Sequence, residues 1–167
     1  IALCVPILLG FGFVIAKPAM EYFPPYLLMG LRFTLPALFL VWFFPIPKGF
    51  FLDLFKVSLI GSTLQYGLTY TGLNIIDASS AVLLIQLEVP FGIIIAFFLL
   101  KEIPSIKNVI GLAIAFVGVF ILTGAPNLEG KFIGILLVLA GAFTWSLGAV
   151  MAKPLSKKIG AFALMTW

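Results

Sequence analysis

The chain has 167 residues, of which 63% are hydrophobic and 10% are charged, and its mean hydropathy is +1.26. This composition lies far outside the range of a soluble globular domain and is typical of a protein that lies mostly in lipid. The formal net charge of +4 is scattered over short polar segments, so it indicates membrane orientation rather than a nucleic-acid partner. With no histidine and the single Cys4, neither a metal, a cofactor nor a disulfide framework is expected.

Apolar runs separated by proline, glycine or charge predict the helices. A helix needs about 20 apolar residues to cross a hydrocarbon core of roughly 30 Å. Six such runs and a shortened seventh predict an all-α, multi-pass membrane bundle, with spans at residues 1–20, 24–44, 54–73, 78–100, 108–123, 132–152 and from 161. Because the first and last runs stop at the chain ends, we expect both ends to be truncated.

Lysines concentrate in alternate loops. The segments after spans two, four and six hold Lys48, Lys56, Lys101, Lys107, Lys153, Lys157 and Lys158. The other loops hold only Lys17 and Lys131. Basic residues are enriched on the cytoplasmic side of membrane proteins. We therefore predict a multi-pass protein of the cell membrane whose first span begins in the cytoplasm.

The chain also matches itself. Residues 148–165 align without a gap to residues 12–29, and both copies contain Ala-Lys-Pro, at 16–18 and 152–154. Five helices per unit is an odd number, so the second copy must be inverted in the membrane, an architecture common in secondary transporters. The predicted organisation is a first five-helix repeat at 1–124 and the start of a second, inverted repeat at 132–167.

An ordered set of short motifs extends over essentially the whole chain: Leu31-Arg32-Phe33, Pro90, Leu100-Lys101-Glu102, Gly111 and Gly118, then Gly134, Trp145 and Lys153. This set resembles the EamA family of the drug/metabolite transporter superfamily. The resemblance implies a ten-helix protein of two inverted repeats that exports a small metabolite by alternating access. Glu88 departs from the pattern, because an apolar residue is expected there, so no substrate is carried over.

Three polar groups are predicted at one depth in the membrane. At ~1.5 Å per residue, Arg32 and Gln65 lie about 12 Å from the outer ends of their helices and Glu88 about 15 Å. Charges inside the hydrocarbon are costly and usually face a bundle interior or a cavity. Arg32 and Glu88 either form an ion pair that fixes helix packing or belong to a substrate or proton site.

The third span carries a polar face, made of Ser58, Ser62, Gln65, Tyr66, Thr69 and Tyr70. This face either lines a polar path or holds helices together by hydrogen bonds. Pro90 frees the carbonyl of Gln86 and should kink the fourth span, which suits gating as well as packing. The predicted substrate or ion pathway is Arg32, Gln65, Tyr66, Thr69, Gln86 and Glu88, with Pro90 as a gating or kink residue.

Glycines repeat at helical spacing in two spans, in the sets Gly111, Ala115, Gly118 and Gly134, Gly141, Gly148. Small residues at this spacing permit close backbone approach, so we expect both sets to be packing faces.

The leading function is a secondary transporter of a small organic solute. No Walker-type phosphate loop is present in the sequence, which argues against an ATP-driven pump within this chain. A membrane-embedded enzyme and a seven-helix receptor remain alternatives, although an enzyme is not expected because nucleophile–base and metal candidates are few. The expected partners are a small-molecule solute and the lipid bilayer, and a coupling proton or sodium ion and a second copy of the chain are left open.

Overall fold

The computed structural model describes residues 18, 22–43, 47–123 and 130–166, without the side chains of Pro25, Tyr26, Leu28, Met29, Arg32, Pro36, Leu122, Thr123, Ala161, Phe162 and Met165. Every regular element within these residues is helical. The α-helices are α1 Pro25–Leu40, α2 Phe51–Ser58, α3 Gln65–Leu73, α4 Ala78–Ile85, α5 Glu88–Leu100, α6 Ile106–Thr123, α7 Phe132–Ile159 and α8 Ala161–Thr166. Predicted span one lies outside the described residues except for Pro18.

The third span is one continuous helix that contains a π-helical segment. Helix α2 continues directly into a π-helical segment, Leu59–Leu64, and then into α3. A π-helical turn carries one extra residue and occurs frequently at functional positions. The predicted start at residue 54 is three residues late, because α2 begins at Phe51.

The fourth span is interrupted. Helices α4 and α5 are separated by Gln86 and Leu87, and the Val89 N–H donates to the Gln86 carbonyl at 3.3 Å. Pro90 has no N–H to offer to that carbonyl, so the normal α-helical bond is lost at this point. Taken together as Ala78–Leu100, this span is one of two described helices that are long and apolar enough to cross a membrane, and α7 is the other.

Helix α7 is the central element of the described bundle. It packs against α3, the π-helical segment, α4 and α5. Its buried residues include Ile135 and Val138, which join a core cluster with Tyr70, Leu73 and Leu84. Tyr70 is completely buried there.

Glycines of α7 bring it into backbone contact with the third span. A Cβ on Gly148 would collide with the backbone of Gly61, and a Cβ on Gly141 would collide with the Thr69 hydroxyl. Gly134 likewise has no room for a side chain. The predicted packing face on α7 is therefore present in the structure.

The corresponding face of α6 has no packing partner among the described residues, so that prediction is not confirmed there. A Cβ on Gly111 or Gly118 would have no described atom within 4 Å. Ala115 and Gly118 instead border an apolar gap beside Leu83 and Leu87 of the fourth span. Helical spacing of small residues identifies a face that permits close approach, but the approach also requires a partner helix opposite it.

Two other predicted helix ends differ in the structure. Span two was expected to reach residue 44, but α1 ends at Leu40 and is followed by a turn. Span six was expected to end at residue 152, before Pro154, but α7 passes through Pro154 to Ile159. One proline removes a single N–H, which a membrane helix tolerates. The helix ends instead at Gly160, whose φ is +83°.

Candidate solute cleft

A cleft of about 440 Å³ lies between α5, the loop that follows it, the start of α6 and the second half of α7. Apolar side chains form most of its walls and a few polar groups converge on it, as is usual for small-molecule sites. The lining residues that carry polar or aromatic groups are Glu88, Glu102, Asn108, Trp145, Ser146 and Lys153. Three of its lining residues are charged, namely Glu88, Glu102 and Lys153.

Glu88 is placed in the cleft by the interruption of the fourth span. It is the first residue of α5, directly after the broken turn at Gln86 and Leu87. Ser146 fixes this point against α7, because its hydroxyl oxygen lies 2.6 Å from the Glu88 carbonyl and 2.8 Å from the Ala142 carbonyl. The hydroxyl has one proton, which these two carbonyls share. The serine thus binds the backbone, and the Glu88 carboxylate remains available to the cleft.

An ion pair lies at the other end of the cleft. The Lys153 ammonium is 2.6 Å from the Glu102 carboxylate, across 51 residues of sequence. Both side chains are half exposed. Ser146 and Lys153 are seven residues apart on α7, or about 10 Å along its axis. The cleft therefore has a carboxylate near one end and a neutralised pair near the other.

The charges of the cleft do not cancel. Glu102 is paired with Lys153, whereas no described cation lies within 4.0 Å of Glu88. The Trp145 ring lies on the cleft wall and is 38% exposed. A carboxylate beside an aromatic surface can bind an ammonium group, through a charge-assisted hydrogen bond and a cation–π contact.

The other predicted pathway residues do not reach this cleft. Gln65 and Thr69 are buried where α3 meets α7, with the Gln65 amide nitrogen donating to the Thr69 hydroxyl at 3.4 Å. The Gln65 Oε1 atom is buried and has no hydrogen-bond partner among the described atoms. Tyr66 packs against Phe33 of α1, with ring centroids 4.8 Å apart. Gln65 and Thr69 therefore pack against α7, and their predicted place in a solute path stays a prediction.

The remaining two predicted residues of the fourth span lie on different sides of it. Gln86 is exposed and borders the apolar gap beside α6, away from the cleft. Pro90 is buried. The predicted pairing of Arg32 with Glu88 lies outside the described side chains and stays a prediction.

Several residues of the cleft were not predicted as site residues. On α7 they follow a helical stripe, namely Trp145, Ser146, Ala149, Val150 and Lys153. This stripe could have been recognised from the sequence, because its members recur at intervals of three to four residues. Glu102 adjoins Lys101 in the sequence, but the structure pairs it with Lys153 on α7.

The described residues contain no group of three or more His, Cys, Asp or Glu side chains arranged to hold a metal ion.

A second ion pair joins Asp77 to Lys131 at 3.8 Å, at the end of α7 opposite Lys153.

Residues 1–124 match the family model described as the EamA-like transporter family. A probable amino-acid metabolite efflux pump of Salmonella typhimurium is 31% identical over the whole chain and 58% of its own length. The protein of the same name in Escherichia coli is 30% identical with the same coverage.

A third relative, the uncharacterized transporter YvbV of Bacillus subtilis, is 32% identical over 92% of the chain and 52% of its own length. The chain thus spans about half the length of the curated relatives it matches. No solved structure matches it.

Proposed function

Because this chain belongs to the EamA-like transporter family, a family of multi-pass membrane proteins, we propose that it forms part of a secondary transporter that exports a small organic solute by alternating access. The family description and the names of the relatives favour a transporter over the seven-helix receptor and the membrane enzyme. The observation that carries the proposal is the cleft between α5 and α7, in which Glu88 is unpaired among the described groups.

The chemistry of the cleft favours a solute with an amino group. The Glu88 carboxylate would bind the ammonium, and the ammonium would also lie over the face of the Trp145 ring, which lines the same cleft. At the far end, Lys153 offers a cation to a carboxylate on a longer solute if Glu102 releases it. Two of the relatives carry the name amino-acid metabolite efflux pump, which fits a zwitterionic solute of this kind.

Several finer features belong to the same proposal. The two repeats, at 1–124 and from 132, would be inverted relative to each other in the cell membrane. The lysine-rich loops would be cytoplasmic, and a proton or sodium ion would drive export. Arg32, Gln65, Tyr66, Thr69 and Gln86 would reach the solute path only in another state of the transport cycle.

The test is transport by the purified protein in liposomes, with and without a pH gradient. Labelled amino acids and their N-acetylated forms serve as probes, since acetylation removes the ammonium charge. We expect free amino acids to be transported and the N-acetylated forms to be rejected. Transport of both at equal rates would contradict the assigned role of Glu88. If neither probe class nor any other small solute is transported, the proposed function is refuted.

The matched variants are Glu88→Gln and Asp77→Asn, which make the same carboxylate-to-amide change inside and outside the cleft. Loss of a charge-assisted hydrogen bond should lower transport by about 10- to 100-fold in Glu88→Gln. Asp77→Asn should transport like the parent, because Asp77 lies outside the cleft and its pair with Lys131 is partly exposed and long at 3.8 Å. Thermal unfolding of each variant separates lost transport from lost folding.

A further inference from the structure

A second groove lies where three helix ends meet, at the end of the bundle that carries most of the lysines. It has a volume of about 330 Å³ and is formed by α2, the last residues of α5 and the last turns of α7. Three of its ten lining residues are charged, namely Asp53, Lys56 and Lys158. The remaining seven are apolar: Val57, Leu99, Leu100, Val150, Met151, Pro154 and Leu155.

The two lysines of the groove are available to a ligand. Both are exposed, and neither has a carboxylate within 4.0 Å among the described side chains. The Lys158 ammonium lies 5.9 Å from the centre of the Phe50 ring, which holds it near the start of α2. Lys56 belongs to the second turn of α2 and lines the same groove as Lys158.

The apolar part of the groove leads from the lysines along the bundle. Leu99 is 53% exposed, while Val150 and Leu155 are almost completely buried and form the floor. A soluble anion would use the lysines but leave this apolar surface uncovered. A lipid with an uncharged headgroup would cover the apolar surface but leave the lysines unpaired.

We propose that this groove is a binding site for one anionic phospholipid. The phosphate lies between the ammonium groups of Lys56 and Lys158, and one acyl chain lies along Leu99 and Leu155. Charge complementarity carries the assignment, because basic pockets between membrane helices at a membrane surface bind acidic headgroups. Asp53 opposes the phosphate and limits the affinity. The proposal is independent of which solute is transported.

The probes are dioctanoyl phosphatidylglycerol and dioctanoyl phosphatidylcholine, added to the purified protein in uncharged detergent. Binding is measured as the lipid concentration that gives half of the maximal rise in melting temperature. We expect phosphatidylglycerol to stabilise the protein at lower concentrations than phosphatidylcholine does. Inorganic phosphate alone should stabilise little, since it contacts only the lysines. Equal effects of the two lipids would overturn the proposal, as would a phosphate effect equal to that of phosphatidylglycerol.

Variants localise the effect. Each lysine near an anionic lipid surface contributes a factor of about five to binding, so Lys56→Gln with Lys158→Gln should weaken phosphatidylglycerol binding roughly 25-fold. The matched control, Lys48→Gln with Lys157→Gln, removes the same charge outside the groove and should leave binding within about twofold if the groove is the site. Equal weakening by the two double variants would show a diffuse surface effect and refute a discrete site.

Two further single changes act on one part of the lipid each. Asp53→Asn removes the opposing carboxylate, so it should strengthen phosphatidylglycerol binding. Leu99→Trp fills the apolar part of the groove and keeps both lysines, so it should weaken binding of the lipid. A Leu99→Trp variant that binds the lipid as the parent does would contradict the placement of the acyl chain.

Discussion

Replacing Gly148 with alanine tests the contact on which the described bundle depends most directly. The added Cβ would overlap the Gly61 Cα and lie 2.9 Å from the Gly61 nitrogen. Both atoms are backbone, so no side chain can rotate away to relieve the overlap. Helix α7 and the π-helical segment must therefore move apart, and the neighbouring contact between Gly141 and Thr69 must loosen with them.

The magnitude follows from two opposing effects. Alanine favours a helix over glycine by about 0.5–1 kcal/mol. Overpacking of a tight contact costs about 1–3 kcal/mol. In the control, Gly111→Ala, only the favourable effect acts, because no described atom lies within 4 Å of the new Cβ. Because the helix-propensity gain is common to both variants, they should differ in free energy of unfolding by the overpacking cost, about 1–3 kcal/mol.

The assay is equilibrium unfolding in mixed micelles with increasing sodium dodecyl sulfate, followed by helix content and tryptophan fluorescence. Gly141→Ala should fall between the other two variants, since its overlap is partly with the Thr69 side chain, which can change rotamer. If Gly148→Ala is as stable as Gly111→Ala, the close approach of α7 to the third span is refuted.

Two other predictions concern charge. Lys153→Glu should lower thermal stability and transport, because it places a second carboxylate opposite Glu102. Adding Glu102→Lys reverses the pair and should restore the stability. A double variant that is no more stable than the single variant would refute this contact. With Cys4 replaced, cysteines placed at Lys107 and Asp77 should react with an impermeant reagent only at Asp77 when intact cells are labelled from outside; labelling at Lys107 alone would show that the predicted orientation is reversed.

The helical architecture was largely predictable from the sequence because each span is a local pattern. Apolar runs mark the helices, and clusters of breakers such as residues 74–77 and 101–104 separate them in the structure. A breaker that acts alone was misleading. Pro154 removes one backbone hydrogen bond. The loss costs less free energy than the helix on either side of the proline gains by packing, so α7 continues to Ile159.

The candidate site was less predictable because it depends on which faces meet. The polar face of the third span was compatible with a path or with packing, and the choice depends on the glycines of α7 opposite it. The cleft brings Glu88 to Ser146, which is 58 residues away in the chain. A single sequence indicates that each face exists, but only the packed helices show which partner each one has.

The interruption between α4 and α5 has a mechanical consequence. Helix α4 carries Ala81 and Leu84 into the buried core, whereas α5 borders the cleft, so the two halves can change their relative angle without opening the core. Helix α5 has 13 residues and is therefore about 20 Å long. If α5 tilted as a rigid body about Leu87, its far end would move by about 3 Å for each 10° of tilt. Added to the 2.6 Å separation of Glu102 and Lys153, a displacement directed away from α7 would take the two groups well beyond ion-pair distance, so a tilt of about 10° would part them and widen the cleft.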